Sequence, residues 1–200
     1  AGGARLFRWD SACPENLAAL KDWVATQPGC EAPETIEAVV RHSGGNFLVA
    51  RHLVLALQEK LLAVHDLALT PPSLESALAA LWNEILDLAP TDLHDEIVRV
   101  ACALCEAGEP LPATSLVDFL GISAIRVRRV LGWLRPLLHH CDSGYRLFHA
   151  RMADFLSRRF RRDLVQVHEQ VISFFREAYP SWEEMDDRYG WFYLGHHCDR

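Results

Sequence analysis

Apolar residues recur at helical spacing along nearly the whole chain, and helix openers and breakers cut that periodicity into short segments. In PENLAALKDWVATQ, Leu17, Leu20 and Val24 share one face behind Pro14 and Glu15, residues suited to a first helical turn. APETIEAVVRHSGG predicts a second helix, opened by Pro33 and closed by Gly44-Gly45. NFLVARHLVLALQEKLLAV is the most apolar segment. There Phe47, Ala50, Val54, Leu57 and Leu61 form one stripe, and Leu48, Leu55 and Leu62 widen it past half the circumference. A helix so apolar is expected to be covered on several sides. After TPPSL, where Ser73 can cap, SLESALAALWNEILDLAP runs to Pro90. Thr91 can cap TDLHDEIVRVACALCEAG, whose inner face is Leu93, Ile97, Val100, Ala101 and Leu104.

The texture then changes. EPLPATSLVDFLGISAIRVRRVLGWLRPLL predicts two short helices separated by Gly121-Ile122, with Thr114 and Ser123 as their caps,. Asp142-Ser143-Gly144 separates the β-prone runs LLHHC and YRLFH, which is a hairpin signal. Helix, short helix, turn, helix and a two-stranded wing make a winged-helix pattern. Two further helices follow, ARMADFLSRRF and DLVQVHEQVISFFREAY, the second with Leu164, Val167, Val171, Phe174, Phe175 and Ala178 inward. Ser181 and Glu184 fit a capping box before the last aromatic segment, RYGWFYLGHHCDR,. The expected fold is therefore mainly α: a helical lid bundle, then a winged-helix domain with a small two-stranded β wing, then C-terminal helices.

Two hundred residues, half of them hydrophobic, can bury one large core or two to three small ones,. No apolar run approaches the roughly 18 residues of a membrane span. AGGARLFRWD lacks the apolar centre of a signal peptide,. The six cysteines are irregularly spaced, which suits reduced thiols better than a disulfide framework. These features imply a cytoplasmic protein. The net charge of −7 argues against nonspecific nucleic-acid binding by the chain as a whole,. Arginines nevertheless gather in the middle third, among them Arg126, Arg128, Arg129, Arg135, Arg151, Arg158, Arg159, Arg161 and Arg162.

Chemistry-bearing motifs are sparse. GxxxxGK[ST], GxGxxG, GxSxG and HExxH do not occur,. Cys102 and Cys105 lie near a buried stripe and read as small core residues. HHCD occurs twice, at 139–142 and 196–199. His139 and Cys141 share one face of a predicted strand, and the second copy falls at a helix end. Neither copy has the spacing of a structural zinc site. His149, His168 and Cys141 could serve a nucleophilic enzyme, but no nucleophile–base spacing supports them. The residues thus point to no catalytic and no metal site.

Three stretches, taken in order, resemble one known assembly. RHSGGNFLVARHLVLAL resembles a helix start in the lid of STAND-class P-loop NTPases, of the NACHT and apoptotic-ATPase kind. VRVACALCEAGEPLPATSLVDFLGI, continued by VRRVLGWLRPLL, resembles the winged-helix domain that follows this lid. GYRLFHARMADFLSRRF resembles the stretch that closes it. VHEQVISFF and WFYLGHHC are similar to the first helices of the scaffold beyond. The resemblance implies a helical lid over residues 1–90, a winged helix over 91–162 and the start of a C-terminal scaffold over 163–200.

It also implies roles for particular residues. His149 takes the place of the winged-helix histidine that, in the apoptotic-ATPase branch, reaches the β-phosphate of ADP. Arg151, two residues on, departs from the Met-His-Asp form of that motif. Phe47 stands where the lid meets adenine, replacing a proline, and also reads as lid core. A segment of this kind carries no cofactor of its own. ADP or ATP with Mg²⁺ would be held by an N-terminal NTPase core, from which RLFRW would lead. Its partners would be that core, a C-terminal repeat region and further copies on activation, with no membrane and no nucleic acid. The alternative is a winged-helix DNA-binding module, with Arg126, Arg128 and Arg129 on the helix that would enter a major groove.

Overall fold

The computed structural model describes residues 13–60, 62–69 and 74–199. RLFRW, Leu61 and Ser73 lie outside them. The described chain is mainly helical with one small antiparallel sheet, as the periodicity implied. It divides into two compact units, one up to Glu84 and one from Ile85 onward, and the division falls within one helix.

The first unit contains α1 (Pro14–Ala25), α2 (Pro33–Ser43), α3 (Phe47–Gln58), α4 (Val64–Leu69) and the larger part of α5 (Leu74–Leu88). Leu20, Val24, Val39, Leu53 and Trp82 are among its buried side chains. Gly44 and Gly45 close α2 at φ values of 57° and 80°, a region that side chains with a Cβ rarely adopt. The chain is then free to turn into α3, where Asn46 Oδ1 accepts from the amides of Leu48 and Val49. This cap sets the face of α3. Val49, Ala50, Leu53, Val54 and Ala56 are buried, and Phe47, in the first turn, is 38% exposed. The expectation of Phe47 as core is thus corrected: its ring sits at the rim, 5.9 Å from that of Trp23. The single long apolar helix is corrected as well. α3 stops at Gln58, and Lys60 follows at φ 59°.

The second unit is organised around α6 (His94–Glu106), which touches α7 (Ala113–Leu120), α8 (Ala124–Leu134), α9 (Ala150–Arg159) and α10 (Arg161–Ala178). Its expected inner face, Leu93, Ile97, Val100, Ala101 and Leu104, is buried throughout. β1 (Leu138–Cys141) and β2 (Gly144–Leu147) form the wing, paired from Leu138↔Leu147 to Cys141↔Gly144. The loop is therefore Asp142-Ser143, and Gly144 belongs to the strand. Leu111 adds a bridge to Tyr145, exchanging hydrogen bonds of 2.9 and 2.8 Å. That close approach explains Gly144. Its φ is 135°, and a Cβ there would lie 2.3 Å from the Leu111 carbonyl carbon.

Ser123 caps α8 as expected. Three other caps differ. Thr91 opens a 3-10 turn, and Thr114 lies inside α7, which Pro112 precedes. The Ser181–Glu184 box is a 3-10 turn at Trp182–Glu184, and Asp187 caps α11 (Arg188–Cys198) by accepting from the Gly190 amide at 2.8 Å. Residues 163–199 are packed with 91–162: α10 lies against α6 and α7, and α11 against α10. Among the described residues no helix is long and apolar enough to cross a membrane.

Candidate functional site

His149 leaves the wing and caps α9. Its backbone is extended, and its Nδ1 accepts from the Arg151 amide at 3.0 Å. A neutral imidazole that accepts at Nδ1 carries its proton on Nε2. No described group bonds that nitrogen. The ring is half-buried beside Phe148, so it is oriented yet keeps a donor to offer. Phe47 belongs to the other unit, where it offers an aromatic edge beside Trp23.

The arginines of α8 divide by partner. Arg126 donates from Nε to Glu96 at 2.5 Å and pairs with Asp92 at 3.2 Å, binding α8 to α6. Arg128, Arg129 and, on β2, Arg146 meet no acidic partner among the described residues. Between residues 124 and 151 the only acid is Asp142, against six arginines. A groove of about 330 Å³ runs between α8 and the wing, lined by Arg128, Leu131, Gly132 and Arg135 on one side and by Leu138, His140 and Tyr145 on the other. The His140 and Tyr145 rings are stacked 4.5 Å apart.

The second HHCD copy builds something the sequence did not announce. His197 and His168 are buried, with Nδ1 atoms 2.7 Å apart. Tyr189 Oη lies 2.9 Å from His197 Nε2. Burial pushes that phenol up to about 12, partly opposed by a hydrogen bond with the Gly108 backbone, so the hydroxyl keeps its proton. His197 and His168 share one hydrogen bond between these Nδ1 atoms. His168 Nε2 lies 3.7 Å from Glu106 Oε2, which also meets His196 Nε2 at 3.3 Å. Burial, and then the neighbouring His168 and His196, hold His197 down to about 4, so it is neutral at ordinary pH. The chain Tyr189–His197–His168–Glu106 joins α11, α10 and the end of α6.

None of this forms a nucleophilic site. Burial raises the Cys102 thiol far above its ordinary range and Cys105 to about 11, the latter partly opposed by its hydrogen bond with Ser157. Such thiols stay protonated and unreactive. Cys141 lies near Ser143 and Gly144 O on the wing. Among the described residues no group of three His, Cys, Asp or Glu could hold a metal ion. In the histidine network, the signal available in the sequence is His168 itself. It lies on the stripe of Leu164, Val167, Val171 and Phe175, where a buried imidazole needs partners. Compared with known proteins, the chain matches no family model and none of the curated sequences.

Proposed function

We propose that the chain is a regulatory and interaction segment of a cytoplasmic STAND-class signalling NTPase. It performs no catalytic step itself. Its winged helix, residues 91–162, gates nucleotide-dependent switching and oligomerisation between the lid of 1–90 and the scaffold that starts at 163–200. The observation that supports this reading is the state of His149. At the junction of wing and α9, its Nδ1 is taken by the Arg151 amide, leaving a neutral ring with a proton on Nε2. That proton suits a phosphate oxygen.

In the larger protein the nucleotide-binding core would hold ADP or ATP with Mg²⁺. His149 would add one hydrogen bond that exists only while the winged helix lies against that core. A contact made in one of two arrangements is what biases a switch. Phe47 would present its aromatic edge to the base from the rim of the lid. The full-length protein should carry a GxxxxGK[ST] phosphate loop ahead of this segment, and its absence would overturn the reading.

One observation favours a second reading, binding of duplex DNA. Arg128, Arg129 and Arg146 lack acidic partners among the described residues, and α8 is the helix a winged helix lays in a major groove. Against it, Arg126 is committed to Glu96 and Asp92. The exposed face of α8 also offers Ala124, Ile125 and Gly132, with no Asn, Gln or Lys to read bases. A salt-dependent shift of a duplex with a slope of several counterions would favour this reading, and no shift at low salt excludes it.

A further inference from the structure

We infer that two copies of this chain associate head to tail, the acidic-aromatic turn between α10 and α11 of one copy entering the groove between α8 and the wing of the next. The contact goes beyond the nucleotide-gated role. It needs neither nucleotide nor a larger protein, so it stands or fails separately.

The groove is concave and basic. Arg128 stands on its wall with no acidic partner among the described residues, and Arg135 follows two turns along the chain. The His140–Tyr145 stack forms the opposite wall. The groove stays open above Gly132, where an added Cβ would meet nothing within 4 Å. About 330 Å³ is at the small end of binding pockets and admits a single large side chain with its neighbours,.

The turn has the complementary form. In SWEEMDD, Trp182 is 51% exposed, and Glu183 and Glu184 are exposed with no cationic partner among the described residues. Trp191, also half exposed, meets Trp182 edge-on at 5.3 Å and is held by its indole N–H on the Met185 carbonyl at 2.6 Å. Phe192, the next residue on α11, is 72% exposed. Asp187 caps α11, and Asp186 accepts from the Tyr179 hydroxyl at 3.0 Å, so the turn is ordered before it binds.

Exposed aromatic clusters mark interaction surfaces, and Trp and Arg dominate the centres of interfaces. A half-exposed Trp followed by two exposed carboxylates matches an aromatic-walled groove that carries arginines, in charge and in apolar character. The two surfaces are distinct, so the contact is heterologous and either closes a ring or propagates.

Sedimentation velocity on the full chain, from about 1 to 200 µM at low and high salt, tests the inference in the affinity range of transient contacts. Average mass should rise with concentration at low salt and fall back at high salt. Arg128→Glu, Trp182→Ala and Gly132→Leu should each weaken association by about tenfold or more. All three sites are open to solvent, so circular dichroism should show intact folding. Gly132→Leu fills the groove while improving helix propensity. The decisive arm mixes Arg128→Glu with the double variant Glu183→Arg/Glu184→Arg. Each should be monomeric alone, and the mixture should associate, because the acidic turn of the first still meets the basic groove of the second. A monomer at every concentration overturns the inference, as does association indifferent to these variants or a mixture that stays monomeric. A monomeric chain that shifts duplex DNA through Arg128 overturns it in favour of nucleic acid.

Discussion

His139-His140-Cys141-Asp142 runs along a strand into its turn, whereas His196-His197-Cys198-Asp199 closes a helix against buried partners. In the first copy, His140 is exposed and stacks on Tyr145 across the hairpin, and Cys141 reaches only the turn beside it. In the second, His197 is 2% exposed and bonded on both ring nitrogens. The four letters are the same. What differs is the supply of partners: Tyr189 two turns earlier on α11, His168 on α10 and Glu106 on α6 make the second copy a network. The first is held by backbone, through the ladder and the close approach of Leu111 to the residues around Gly144. Residue type proposes a chemistry, and packing decides whether that chemistry has anything to act with.

The contrast can be broken at the network first. His197→Ala should cost about 2–4 kcal/mol in urea unfolding, because it leaves the Tyr189 hydroxyl and a His168 nitrogen buried without this partner. A cost near zero would mean water replaces the ring freely. Acid should act on the same residue. Folded, His197 stays neutral down to about 4, whereas its ordinary value is 6.5. The unfolded chain therefore takes up a proton that the folded chain refuses. Its contribution is complete above about pH 6.5 and is lost progressively toward pH 4, by up to about 3 kcal/mol. His197→Gln should flatten that part of the stability–pH profile, and an unchanged slope would remove His197 as its cause.

In the first copy the sensitive residue should be the glycine after the tetrapeptide. Gly144→Ala should cost about 2 kcal/mol or more, since both its φ and the Leu111 backbone oppose a Cβ,. His149→Ala removes the cap of α9 and should cost about 1 kcal/mol. His140→Ala loses only an exposed stack, and a loss of about 0.5 kcal/mol or less in the same unfolding series would complete the contrast.

Much of this is legible in the sequence. The inner face of α6 follows from its period, and the Ser123 cap and the wing follow from local signals. Two of the departures share one physical cause: competition between neighbouring caps. Asn46, directly after two glycines, fixes α3 so that Phe47 lies at the rim. Asp187 outcompetes Ser181 because Trp182–Glu184 closes as a 3-10 turn before α11 begins. Lys60 in the left-handed region gives no warning, as lysine has no preference for it. The histidine network joins residues 29 apart in sequence, and no local pattern encodes such a pairing. His149 stands out through a resemblance, and its cap explains why a histidine there would carry its proton on Nε2.

On the proposed function, His149 would meet nucleotide only while the winged helix lies against an N-terminal nucleotide-binding core. Calorimetric titration of the chain with ADP and Mg²⁺ puts this to the test. The predicted result is no heat of binding and no change on His149→Ala. Stoichiometric micromolar binding by the chain alone would contradict it.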